Sequence, residues 1–307
     1  MRGLILALVG FASPLLARGG EVGVEALLWR PSRSDFGYVL SCDANGKGTE
    51  IYDEPELDPG VRVFLSYCCQ SGFRGRLAYT YFETSFSSRR TGTIDFPILQ
   101  PVFASVFGTP LSLATAKIRD RFQTVDADVW GPLYCGCRWS LEAFGGARWV
   151  ELRMRERYHY EEIAGQIFDV IQNSWFCGAG PRIGLHTTFT PWARCPSLYL
   201  DGVIATSAII ANRSNYYNGE LNFFFSGDSQ LARPSSTQIV PAFDIRVGTH
   251  YTLCCGCCRW ILSVAYELQW YQNARERLEN AFNVGYPSSE VRGVGYGGLN
   301  FGLTVGY

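Results

Sequence analysis

Apolar and polar residues alternate along this chain over stretches longer than most strands, and that alternation limits the folds open to it. In 295–307, Leu299, Phe301, Leu303, Val305 and Tyr307 share one face, and Asn300, Gly302, Thr304 and Gly306 share the other. In 259–271, Trp260, Leu262, Val264, Tyr266, Leu268 and Trp270 oppose Arg259, Ser263, Glu267 and Gln269. In 239–252, Ile239, Pro241, Phe243, Ile245, Val247 and Tyr251 oppose Asp244, Arg246, Gly248 and His250. Weaker forms of the pattern run through the rest. Ten strands follow: 21–30, 58–67, 73–84, 118–130, 138–149, 175–189, 197–210, 239–252, 259–271 and 295–307.

Ordinary strands run about five or six residues. Most of these run ten to fifteen, and a tilted strand needs about 9–11 to cross a bilayer. The gaps alternate between long (31–57, 85–117, 150–174, 211–238, 272–294) and short (68–72, 131–137, 190–196, 253–258). Outer-membrane barrels have short periplasmic turns at one end and long loops at the other. An even strand count puts both termini on the periplasmic side. Lipid tolerates no open sheet edge, so 21–30 must pair with 295–307. The expected fold is therefore all-β: one closed antiparallel transmembrane barrel of about ten strands, with lipid as its surroundings. Twelve strands follow if 85–117 forms an extra hairpin. The same apolar loop, with Phe103, Val106 and Phe107, is a candidate to fold into the mouth. Trp130, Trp139, Trp149, Trp175, Trp260 and Trp270 are expected in interfacial girdles, and Gly and small polar residues inside.

Composition agrees. A mean hydropathy of −0.01 excludes a helical membrane bundle, and a net charge of −1 excludes a globally basic nucleic-acid binder. A barrel gives near-neutral hydropathy because half of each strand faces lipid and half a polar interior. Met1-Arg2 and the apolar run from Leu4 to Leu16 read as a secretory signal over 1–17, leaving 18–307 as the barrel domain. The expected location is the cell outer membrane.

The charged residues on the non-lipid faces are the candidate lumen lining: Arg74, Arg76, Asp126, Asp128, Glu142, Arg148, Arg182, His186, Asp244, Arg246, His250 and Glu267. They either line a narrow polar passage or pair with one another and plug it. The catalytic alternatives are weak. No nucleophile elbow, phosphate loop or metal-binding histidine pair is present. Asp126 and Asp128 read better as partners for arginines than as an acid pair. No cofactor, metal or enzymatic activity is expected.

Of eleven cysteines, nine fall in the short turns: Cys68, Cys69, Cys135, Cys137, Cys195, Cys254, Cys255, Cys257 and Cys258. An exported chain meets an oxidising space. Adjacent cysteines seldom bridge each other, so the expected disulfide partners are neighbouring turns, other copies of the chain or other cysteine-rich envelope proteins.

Several stretches carry a resemblance to a known family. Asp58-Pro-Gly-Val-Arg-Val-Phe-Leu, followed by Gly72-Phe-Arg-Gly-Arg-Leu-Ala-Tyr-Thr-Tyr-Phe, resembles the early hairpin of the Legionella major outer membrane protein family, which has relatives in environmental chlamydiae. Asp126-Ala-Asp-Val-Trp-Gly, Phe176-x-Gly-x-Gly-Pro-Arg-Ile-Gly-Leu and Val240–Gly248 are similar too. The resemblance implies a pore that passes small hydrophilic solutes, and no catalytic residues. This chain departs from the usual terminal Phe of such barrels by ending in Gly306-Tyr307, and its turns carry more cysteine than the family requires. A disulfide-linked structural role and a loop-borne adhesin are the alternatives.

Overall fold

The computed structural model describes residues 19–32, 39–42, 48–51, 55–69, 72–94, 96–97, 111–163, 165, 167–191, 197–222, 227–256, 258–280 and 287–306. Ten antiparallel strands close into one ring, and the described residues contain no helix. In chain order the elements are β1 (Gly20–Ser32), β2 (Val39–Cys42), β3 (Gly48–Ile51), β4 (Asp58–Cys68), β5 (Arg74–Ile94), β6 (Phe96–Pro97), β7 (Leu111–Cys135), β8 (Trp139–Glu162), β9 (Ile167–Phe189), β10 (Leu198–Asn222), β11 (Gly227–Cys255), β12 (Cys258–Asn280) and β13 (Pro287–Gly306). The ring runs β1-β13-β12-β11-β10-β9-β8-β7-β5-β4 and back to β1. Closure places Glu21 opposite Gly306 and Leu28 opposite Leu299, the predicted first-to-last pairing. The short β2, β3 and β6 form a separate three-stranded sheet.

The extra hairpin of a twelve-stranded ring does not form, because β5 and β7 pair directly from Arg74–Trp130 up to Ile94–Leu111. Phe103, Val106 and Phe107 lie outside the described residues, as do residues 1–17. At the short-turn end the chain reverses tightly. Cys255 faces Cys258 across a two-residue loop in which Gly256 takes φ 61°, the left-handed geometry such hairpins need.

The expected strands were too short at their outer ends. β7 begins at Leu111, seven residues before the expected start at 118. β8 runs on to Glu162, and β11 begins at Gly227. The expected long loops are mostly hairpin wall standing above the membrane. Backbone pairing continues there, but neither face meets lipid, so the apolar alternation that marks the membrane zone disappears. The lipid-facing belt is plain where it exists: Leu262, Val264, Tyr266 and Leu268 on β12, Phe243, Ile245 and Val247 on β11, and Ile183 and Leu185 on β9 are all exposed.

Inside, one expectation fails and a second is incomplete. Trp130 is no girdle residue. It is 2% exposed and stacks on Phe144 at 4.3 Å between centroids, since residue 130 shares the face of Asp126 and Asp128. Small residues such as Ser66, Thr80, Ser263 and Thr304 do face the interior as expected, but they do not fill it. Large rings and ion pairs occupy it, and glycines make notches for the rings. A Cβ on Gly23 would lie 2.1 Å from Phe64, and one on Gly184 would lie 2.3 Å from Phe144.

Candidate functional site in the barrel lumen

The lumen is filled in layers along the barrel axis. Nearest the short turns, Arg74, His186, Tyr199, Asp201 and His250 line a cavity of about 120 Å³, with Glu142 held against Arg74 and His186. Glu142 accepts from Arg74 Nη2 at 2.9 Å and sits 2.8 Å from His186 Nδ1. His250 Nε2 stands 2.7 Å from Asp201 Oδ1. Arg76 lies with its guanidinium 4.5 Å above the Phe64 ring and 6.0 Å from Trp130.

The next layer is ionic and lies level with the lipid belt. Arg148 on β8 grips Asp126 on β7 with Nε (2.6 Å) and Nη2 (2.8 Å), and reaches across β9 and β10 to Asp244 with Nη1 (2.7 Å). Arg182 on β9 donates to the other Asp244 oxygen at 2.9 Å and to Asp128. On the opposite wall, Arg62 grips Glu267 with both Nη groups (2.7 and 2.8 Å), Glu25 with Nη1 (3.0 Å), and Thr80 with Nε (2.9 Å). Arg246 donates to Glu25 at 2.8 Å. Glu267 also accepts from Gln269 (2.7 Å) and Asn300 (2.6 Å). Five arginines, at 62, 76, 148, 182 and 246, thus face five carboxylates, at 25, 126, 128, 244 and 267, so the layer is neutral as a set. A second cavity of about 50 Å³ lies within this layer and shares Arg76, Trp130, Val203 and Arg246 with the first.

Toward the outer end the filling turns aromatic. Trp29, Phe82, Phe122, Tyr271 and Tyr296 are fully buried. Phe122 meets Tyr296 at 4.6 Å and Tyr271 at 5.8 Å, and Trp29 meets Phe82 at 6.0 Å. The layers are bonded to each other: Trp29 Nε1 donates to Asn300 at 2.6 Å, and Tyr271 Oη accepts from Arg148 at 3.4 Å.

All twelve sequence candidates therefore face the interior. Arg74, His186 and His250 border the first cavity, Glu142 is bonded to two of them, and the other eight, led by Arg76, occupy or border the ionic layer. Sequence reasoning missed Glu25, Arg62 and Asp201 as members. It also missed the aromatic layer. Parity was the available signal, since Glu25, Leu27 and Trp29 alternate with the lipid-facing Val24 and Leu28.

The cysteines cluster where the turns are. Cys68, Cys69, Cys135, Cys137, Cys254 and Cys255 are exposed at the short-turn rim, Cys258 begins β12, and no disulfide joins any described pair. Cys195 and Cys257 lie outside the described residues.

A closed ring of lipid-faced strands around a charged interior defines an outer-membrane β-barrel protein. The family model for the Legionella pneumophila major outer membrane protein precursor matches residues 12–306, and the chain belongs to that family. Its place is the outer membrane. Among solved structures it is similar to the outer membrane protease OmpT of Escherichia coli, at 12% identity and a TM-score of 0.42 over 94% of this chain and 95% of that one. It is also similar to a major outer membrane protein of Thermus thermophilus (12% identity, TM-score 0.29, 76% and 98% covered) and to a FadL homologue of Pseudomonas aeruginosa (8%, 0.30, 94% and 89%). No curated protein sequence matches the chain.

Proposed function

We propose that the barrel is a narrow, normally closed pore for small hydrophilic solutes, and that the ionic layer is its aqueous path. One observation carries this reading: ten charged side chains stand in the lumen at the height of the membrane. A barrel that needed only a filled interior would do better with apolar residues, because replacing buried ion pairs with packed hydrophobic groups is often neutral or stabilising. Ionisable groups at membrane depth are costly and mark solute and ion pathways. Asp128 Oδ1, Arg76 Nε and Trp130 Nε1 have no protein partner beside the two cavities, which favours a wet lumen, since buried polar atoms are otherwise paired. The aromatic layer is the closure, and passage requires its rings to move. Asp126 and Asp128 are engaged by arginines, which supports a non-enzymatic role.

Proteoliposome permeability tests this. Vesicles carrying the protein should admit arabinose faster than protein-free vesicles and exclude raffinose. Equal rates with and without protein would contradict the proposal.

The exposed thiols of the short-turn rim favour a second role beside the first. Two such thiols on neighbouring molecules can each give up a proton and together two electrons to a periplasmic disulfide oxidant, joining barrels to each other or to other cysteine-rich envelope proteins. Non-reducing electrophoresis of envelopes should then show multimers that collapse on reduction. Monomers in both lanes would refute it.

A further inference from the structure

The outward face of β7 and β8, just above the lipid belt, carries an arrangement that the folded chain alone does not explain. Lys117 lies opposite Arg157, Arg119 opposite Arg155, and Arg121 opposite Arg153. These are three successive cross-strand pairs of like charge, each destabilising in isolation. All six side chains point away from the lumen, because the alternate residues Ile118, Asp120, Phe122, Met154, Glu156 and Tyr158 are buried inside. Among the described residues, two carboxylates reach the patch from the same outward face. Glu83 binds Arg119 and, at 3.4 Å, Arg121, while Glu151 binds Arg153 at 2.7 Å. Among the described residues Lys117, Arg155 and Arg157 form no ion pair.

The height of the patch is as informative as its charge. Trp175 pairs directly with Arg153, and Trp149 stands two rows nearer the membrane, beside Val125. Tyr79 and Tyr81 continue the same aromatic band on β5. Tryptophan and tyrosine mark the membrane–water interface, so the cations begin at the level of the outer-leaflet headgroups and face them. A shallow groove of about 780 Å³ runs among Arg119, Arg121, Arg153, Arg155, Trp175 and Tyr216. Neighbouring strands lie about 5 Å apart, so arginines paired across them can reach one phosphate with charge-assisted bonds from both sides.

We infer that this face is a binding site for the phosphate groups of an outer-leaflet lipid, with the acyl chains lying on the apolar belt below. The ligand class is a phosphorylated lipid held by its headgroup. Free phosphate lacks the second half of the interaction, which the continuous apolar surface under the patch supplies. The bound phosphate would relieve the like-charge pairs, in which Glu83 and Glu151 offset Arg119, Arg121 and Arg153 but not Lys117, Arg155 and Arg157.

The test uses the full barrel in neutral detergent, with bis-phosphorylated lipid A, its dephosphorylated form and inorganic phosphate as separate probes. Bis-phosphorylated lipid should bind at least tenfold more tightly than the dephosphorylated lipid, and added salt should weaken it. The variant R155S/R157S should lose at least tenfold in affinity while keeping heat-modifiable gel mobility. R259S, at the opposite rim, should bind as the native protein does. Should R155S/R157S fail to fold, the single variant K117S, with an expected loss of two- to threefold, takes its place. Equal affinity for the two lipids, unchanged binding by the patch variant, or displacement of lipid A by an equal concentration of inorganic phosphate would each overturn the assignment.

Discussion

The lumen holds two fillings in one ring of strands, and they are held by different physics. The ionic layer at membrane height depends on completeness, because each charge is tolerated only while its partners stand in place. The aromatic layer above it depends on shape and buried area, and has few polar obligations. The first filling fails by losing one group, whereas the second degrades in proportion to what is removed. This contrast explains why the polar half is tied across the ring, from β4 to β12 and from β8 to β11, while the aromatic half is bonded to it at only a few points.

The sharpest way to break the contrast is Arg148→Ala. It strands Asp126 and Asp244 together without their common cation, and the loss of a buried pair by removal of one partner costs about 3–5 kcal/mol. The temperature at which the folded gel band disappears should fall steeply. Replacing Arg62 and Glu267 together with methionine should cost less than Arg62→Met alone, since the double change leaves no orphan carboxylate there. A double change as costly as the sum of the two single ones would show that the ionic layer is not cooperative.

A change in the aromatic layer should be milder. Phe82→Leu keeps an apolar side chain and loses ring contacts to Trp29 and Tyr296 (6.0 and 5.8 Å), worth about 0.5–1.5 kcal/mol each. Urea unfolding should register a loss of about 1–3 kcal/mol for the two contacts together. Tyr271→Phe, at the seam between the layers, removes a hydroxyl that donates to Gln269 at 3.2 Å and should cost about 1 kcal/mol.

The smallest effect lies outside the membrane. His159, near the outer end of β8, contacts Asp169 at 3.0 Å and Glu161 at 3.2 Å. Burial pulls its pKa down, but hydrogen bonding to these carboxylates outweighs that, and the pKa lies above the ordinary value. The stabilisation is therefore full below the unfolded pKa of about 6.5 and is lost as pH rises through the raised folded value. Amide exchange at the β8–β9 tip should accelerate with pH beyond its intrinsic increase, and His159→Asn should remove that extra dependence.

The sequence revealed the ring more fully than its contents. A period of two, written by lipid on one face, marks the membrane zone of each strand, and the alternating gaps set the order and the closure. Above the membrane that signal stops, so the hairpin walls from Lys117 to Leu111 and from Arg153 to Glu162 read as loops. Inside, charged residues such as Asp126 and Arg182 declared themselves by polarity. Trp29 and Trp130 did not, because an aromatic residue on a membrane strand suggests an interface first. Only the parity of Trp130 with Asp126 and Asp128 pointed inward. Which arginine meets which carboxylate was not legible, since those ties span up to four strands and follow from the ring's diameter and stagger.

The claim that the ionic layer is a closed aqueous path is tested most directly by single-channel recording in planar bilayers, comparing the native barrel with W29A/F122A. The native protein should show rare, small steps with little preference between anions and cations, as befits a layer with equal numbers of both charges. Removing two rings of the closure should make the steps larger and more frequent. Silence from both proteins, each shown to be folded by heat-modifiable mobility, would contradict the account and leave the charged lumen as a plug.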